Sequence, residues 1–227
     1  MNRLLEVCLV AFTLAMNLPV VTAQSPVLQK GVSVQMVATS NATAMPAADN
    51  NDAWVVTVTA DGKLHFGSDL VDADGLTKDM MIHPRKRDAK LYIKADARAP
   101  FGNVETVLEI GHKAYFESAV FLTNQNDKPA LGKMVAPQGL EIFLTSAASD
   151  SVVVELLNPD QSQASLKVDN REVARANLQT ALNQSLQNRG DRIVEIKAEG
   201  SLSFAQVAQV IDACASVKAK AILPAEE

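Results

Sequence analysis

The chain says one thing twice. Leu91 to Thr123, LYIKADARAPFGNVETVLEIGHKAYFESAVFLT, returns from Val194 to about Leu223 as VEIKAEGSLSFAQVAQVIDACASVKAKAIL. Lys94-Ala95-Asp96 matches Lys197-Ala198-Glu199, Phe101 matches Phe204, and Val104 and Val107 match Val207 and Val210, all at one offset without a gap. Each copy reads as strand, turn, helix, strand. Leu91, Ile93 and Ala95 alternate as in a strand with one buried face, and Phe101, Val104, Val107 (or Leu108) and Ile110 recur at helical spacing. Ala119 to Leu122 is a further apolar run. A period near a hundred residues is too long for a solenoid unit and suits a small domain. The expectation is two homologous domains in tandem.

The segments ahead of the two copies support this. Gly31 to Val37 alternates and predicts a first strand. Ser40 to Asp52 reads as a loop, and Trp54 to Thr59 and Lys63 to Phe66 flank Asp61-Gly62, a strong hairpin signal. Val71, Leu76 and Met80 predict a short helix capped by Ser68 or Asp69. After the Asn-, Lys- and Pro-bearing stretch from Asn124 to Gln138, Gly139 to Leu144 restarts the first strand and Val152 to Leu157 the second. Ser165 to Val168 then supplies the third. A second short helix follows, with Asp169 and Glu172 read as a capping box, Val173, Leu178, Leu182 and Leu186 as its apolar face, and Gly190 as its stop. Val71, Leu76 and Met80 stand at one offset from Val173, Leu178 and Leu182. The predicted class is α+β: two tandem copies of a small mixed β-sheet domain, each with two helices on one face, after an N-terminal hydrophobic leader or anchor. The segments are 1–23 leader, 28–124 first domain, 125–138 linker and 139–227 second domain. A flexible linker of that length spans roughly 20 Å, enough to set the domains side by side as an internal pseudo-dimer. Ala119 to Leu122 and Ala219 to Leu223 are then the expected sheet edges that seek a partner.

Leu4 to Val21 is an apolar run of 18 residues behind Arg3. It is open to two readings. As a secretory signal it would be cleaved after Ala23, leaving a soluble periplasmic protein. As an uncleaved helix it would span about 27 Å, slightly short of a bilayer core of about 30 Å. Either reading puts the bulk of the chain beyond the cytoplasmic membrane.

Composition closes off other functions. With 48% hydrophobic and 21% charged residues the chain is globular, and a net charge of -5 argues against nucleic acid as a partner. Cys8 and Cys214 provide no disulfide framework and no zinc spacing, and Cys214 reads as a small core residue. His65, His83 and His112 lie on different elements, which disfavours a metal site. Asp72-x-Asp74-Gly75 begins like a calcium loop, but Leu70 and Met81 occupy positions that should be acidic. Nucleophile and phosphate-loop motifs are missing from the sequence, so neither an enzyme nor a cofactor is expected. Arg85, Lys86, Arg87 and Lys90 form a basic cluster, a solvated loop face or a docking patch for lipid head groups or an anionic wall polymer.

Three stretches together resemble the ExbD/TolR biopolymer-transport family. LLEVCLVAFTL is similar to that family's membrane anchor, and VLQKGVSVQM to the extended segment leaving the membrane. DGKLHF, an amphipathic helix and LYIKADARAPFGNVETVLEIGHKA are similar to its periplasmic domain. The resemblance implies a single-pass inner-membrane protein with its bulk in the periplasm, working with a multi-span ExbB/TolQ-like partner and acting on peptidoglycan or a TonB-like protein. It implies that a carboxylate in the anchor takes part in proton passage, and Glu6 is the position that matches it. An acid within an apolar span costs about 2.5–3.5 kcal/mol at mid-helix, which usually marks function or an interfacial place. Glutamate stands here where the family carries aspartate, five residues precede it, and two outer domains replace one. These departures bear on proton conduction more than on the fold.

Overall fold

The computed structural model describes residues 31–83, 88–125, 136–145, 150–158 and 164–224. The leader, Glu6, Arg85 to Arg87 and most of the predicted linker lie outside them.

Among the described residues thirteen strands and four α-helices form an α+β architecture around one mixed sheet. In the first half these are β1 (Ala38–Thr39), β2 (Thr43–Ala44), β3 (Trp54–Val58), β4 (Leu64–Phe66) and β5 (Asp69–Val71), followed by α1 (Ala73–Ile82), β6 (Leu91–Ala95), α2 (Phe101–Lys113) and β7 (Ser118–Gln125). The second half holds β8 (Gln138–Phe143), β9 (Val152–Leu157), β10 (Ser165–Val168), β11 (Arg171–Glu172), α3 (Leu178–Leu186), β12 (Ile193–Ala198), α4 (Phe204–Ser216) and β13 (Lys220–Ile222). Across the sheet the order is β11-β10-β9-β12-β13-β8-β7-β6-β3-β4-β5, with β1 on β7 and β2 on β8.

The two halves follow one pairing scheme. β3–β4–β5 is an antiparallel ribbon whose first strand pairs parallel with β6, which pairs parallel with β7. β9–β10–β11, β12 and β13 repeat it. Between the halves sits β8, antiparallel to β7 and parallel to β13. The expected apolar edges are therefore interior strands. β8 covers both, and the true edges are the short, exposed β5 and β11.

Other local expectations need correction. Gly31 to Val37 forms no ladder; only Ala38–Thr39 pairs with β7. This stretch crosses the sheet instead, held where Gln35 N–H donates to Asp96 Oδ2 at 3.0 Å and Ala97 N–H to the Gln35 carbonyl at 2.7 Å. Asp72, not Ser68 or Asp69, caps α1: its Oδ1 accepts the Gly75 N–H at 2.7 Å, while Asp69 belongs to β5. The apparent calcium half-loop is thus a helix start. Asp169 does not cap a helix. Asp169 and Asn170 have φ of 47° and 64° and join β10 to β11 as a two-residue hairpin, a conformation that Asn and Asp tolerate. α3 begins six residues after Glu172 and ends at Leu186, before Gly190. The Asp61-Gly62 hairpin forms as read, with Gly62 at φ 80°.

All four helices pack on one face of the sheet over a continuous apolar core, which includes Leu76, Val104, Leu182 and Val207 from the helices and Val56, Ile93, Ile142 and Val154 from the strands. The halves are also tied directly. Phe101 N–H donates to the Leu202 carbonyl at 2.7 Å and Phe204 N–H to the Ala99 carbonyl at 2.8 Å. These bonds are mirror members of the repeat. Beside them Gly102 and Gly200 meet so closely that a Cβ on Gly200 would lie 3.2 Å from Gly102 Cα, which explains glycine there. Phe121 and Phe204 pack across the same seam with ring centroids 4.9 Å apart and planes tilted by 59°.

Candidate functional site

Of the sequence-derived candidates, Lys90 falls within the described residues. Its Nζ lies 2.7 Å from Glu141 Oε1, to which Ser118 Oγ also donates at 3.0 Å. Lys90 therefore ties the start of β6 to β8. Glu6 and the companions Arg85, Lys86 and Arg87 lie outside the described residues.

Cavities among the described residues lie in both halves and between them. A groove of about 600 Å³ runs between the β4–β5 ribbon and α2, over Leu64, Leu70, Val71 and Asn103. A second, of about 730 Å³, lies between the β10–β11 ribbon and α4, over Leu166, Glu172, Val173 and Gln206. These occupy the same place in each half, but Leu70 gives way to Glu172 and Asn103 to Gln206. A third, of about 500 Å³, opens between α2 and the second half, floored by Phe101, Leu108, Ile196 and Leu223 and rimmed by Glu105 and Lys197.

None of these cavities holds a catalytic constellation among the described residues. No group of three His, Cys, Asp or Glu there could hold a metal ion. His65 and His83 each approach a backbone carbonyl, of Ser68 and Asp79. Cys214 is fully buried, and burial pushes its thiol up to about 12, which keeps it protonated and unreactive.

The perturbed charges are structural. Asp96 is buried, and its carboxylate accepts from Arg98 Nε at 2.9 Å, the Arg98 N–H and the Gln35 N–H. The Arg98 guanidinium first, then these backbone donors, hold the carboxyl at about 2. This site pins the crossing segment 31–37 to the end of β6. Exposed Asp61 is held at about 2 by Lys63 and Thr59 in the hairpin turn. Lys94 is buried, and desolvation lowers its pKa against the opposing pull of Asp49. The Thr57 hydroxyl beside it is buried without a hydrogen-bond partner.

A surface feature escaped the sequence reading. Met81, Ile82 and Tyr115 are exposed at the C-terminal ends of α1 and α2. The signal available was Met80-Met81-Ile82, three successive apolar residues that one helix face cannot bury together.

One comparison bears on identity. Residues 123–223 match the family model for the biopolymer transport protein ExbD/TolR. No curated protein and no solved structure matches the chain. The ExbD/TolR match begins within β7 and ends just after β13, so it takes in β8 to β13 with α3 and α4. The sequence resemblance rested mainly on the leader and first half; the family match falls on the second. It supports a non-catalytic, biopolymer-transport component of the cell envelope. Members are usually anchored in the inner membrane, whereas no helix among the described residues is long and apolar enough to cross one.

Proposed function

We propose that this chain is an ExbD/TolR-type component of an energised envelope complex, with its outer domain present twice. The carrying observation is the ExbD/TolR match over residues 123–223. The repeated strand pairing supports extending that identity to the first half, and the paired hydrogen bonds around Phe101 and Phe204 support reading the halves as an internal pseudo-dimer. In this reading Leu4 to Val21 is an inner-membrane anchor and Glu6 carries protons at its boundary with an ExbB/TolQ-like partner. Proton flow moves the outer region against peptidoglycan or a TonB-like protein. Arg85, Lys86 and Arg87 contribute cationic contacts to anionic envelope material.

Glu6→Gln tests the motor role, since it keeps size and polarity while removing the titratable proton. Membrane retention should persist and energised transport should be lost; transport at the wild-type level excludes proton passage through Glu6. Intact mass of the membrane-extracted protein tests the anchor. A species beginning at Gln24 would establish the secreted, soluble form, a periplasmic binding or structural protein without the motor.

A further inference from the structure

The four large hydrophobic side chains that stand exposed among the described residues, Leu70, Met81, Ile82 and Tyr115, all belong to the first half. The repeat supplies an internal control, because the equivalent positions in the second half are Glu172, Asn183, Gln184 and Lys218. Tyr115 and Lys218 even share the left-handed backbone, at φ 64° and 55°. The fold therefore accommodates polar residues at all four places, and the apolar ones need another reason.

Three of the four gather at one end. Met81 and Ile82 close α1, and the next residue, His83, packs edge-on against Trp54 with centroids 6.2 Å apart. Phe116, next after Tyr115, packs on the same Trp54 at 5.8 Å. Trp54 thus holds the two helix ends side by side, with Met81, Ile82 and Tyr115 turned outward at 53%, 62% and 80% exposure.

The chain also enters the described structure on this first half. A Cβ on Gly31 would meet Thr57 Oγ1 at 2.6 Å, Gly67 O at 3.5 Å and Val55 Cγ1 at 3.5 Å, so the entering chain lies against β3 on the face opposite the helices. Only residues 22–30 separate Gly31 from the apolar run Leu4 to Val21. Fully extended, they reach about 30 Å. With the run in a bilayer, Gly31, where the first half begins, is tethered within that distance of the membrane surface.

We propose that Met81, Ile82 and Tyr115 form a docking face that settles the first half on the bilayer holding its own leader. The face has the chemistry of an interfacial contact: two flexible or branched aliphatic side chains enter the acyl boundary, and a tyrosine ring sits with its hydroxyl among the head groups. This inference rests on the anchored reading above.

The test uses the full-length chain with Cys8→Ser, reconstituted in phosphatidylcholine–phosphatidylglycerol vesicles. An environment-sensitive nitrobenzoxadiazole dye is attached through Ile82→Cys or, as control, through Gln184→Cys. Flotation with the vesicles after alkaline carbonate scores anchoring separately. Docking predicts blue-shifted emission at position 82 that lipids brominated near the head group quench, with aqueous emission at 184. Adding Met81→Ser and Tyr115→Ser should return the quenching at 82 to the control level while far-ultraviolet circular dichroism is unchanged. Aqueous emission at 82 in floating protein overturns docking alone. A blue shift that lipid does not quench assigns the face to a protein contact, such as a second copy, and also overturns it. Loss of flotation overturns the anchored reading and docking with it.

Discussion

The central strands of the two halves pair alike and are buried differently. Trp54–Val58 and Leu91–Ala95 are buried at every residue, whereas Val152–Leu157 and Ile193–Ala198 alternate. The cause is a cover present on one half. Residues 36–53, including the 3-10 turn Pro46–Asp49, bring Met36, Met45, Ala48 and Ala53 over Val55, Tyr92, Val120 and Leu122. On the second half the matching strand positions are Val153 and Glu195, and the face stays open with Lys197 3.4 Å from Glu195. The same repeat position thus holds a buried lysine, Lys94, in one half and an exposed one, Lys197, in the other. What a strand residue experiences is decided here by a segment outside the repeat.

The largest expected effect breaks what the halves share. Phe204 is fully buried and packs on Phe121 across the seam, so Phe204→Ala removes a large side chain and leaves a cavity. It should cost about 3–5 kcal/mol in urea unfolding followed by circular dichroism.

A smaller effect separates Asp96 from its counterpart Glu199. Asp96 is buried among four donor contacts, whereas Glu199 is exposed and accepts from the Asn158 N–H. Asp96→Asn should cost about 1–2 kcal/mol at pH 7. Because the folded carboxyl is held at about 2, below its ordinary 3.8, that contribution is complete above about pH 4 and fades as pH falls through 2. The difference between variant and parent, measured at pH 7 and pH 3, should therefore shrink. Glu199→Gln should stay within about 0.5 kcal/mol at both.

The smallest effect has the opposite sign. Desolvation lowers the Lys94 pKa, so the unfolded chain binds its proton more tightly and burial of the charge opposes folding at neutral pH. Lys94→Met should raise stability by about 1 kcal/mol at pH 7. The gain should diminish as pH rises from the lowered folded value toward 10.5. Lys197→Met, on the open face, should change stability by less than about 0.5 kcal/mol.

The alternation of Val152 to Leu157 was a faithful guide because water covers one face of that strand. The same pattern at Leu91, Ile93 and Ala95 misled, since Tyr92 and Lys94 read as outward until residues 36–53 lie over them. Asp61-Gly62 announced its hairpin through backbone chemistry that acts locally. β5 and β11 gave no signal, being two or three mostly exposed residues held by pairing to a neighbour. The place of β8 was illegible for a related reason: Gly139 to Leu144 shows that a strand exists, but not that it closes the gap between two repeats. The docking face could have been suspected from Met80-Met81-Ile82. Its position beside Tyr115 required Trp54 in three dimensions.

The central claim is that the halves share one sheet and one core and so unfold together. Trp54 is the chain's single tryptophan and lies in the first half, while Leu182 is fully buried in the second. Leu182→Ala should remove about 2–5 kcal/mol. Unfolding of the full-length variant, followed by Trp54 fluorescence and by circular dichroism, should give coincident transitions, both shifted from the parent by the same amount. A Trp54 transition left at the parental midpoint while the circular dichroism splits in two would contradict the account, and would make the halves separate folding units.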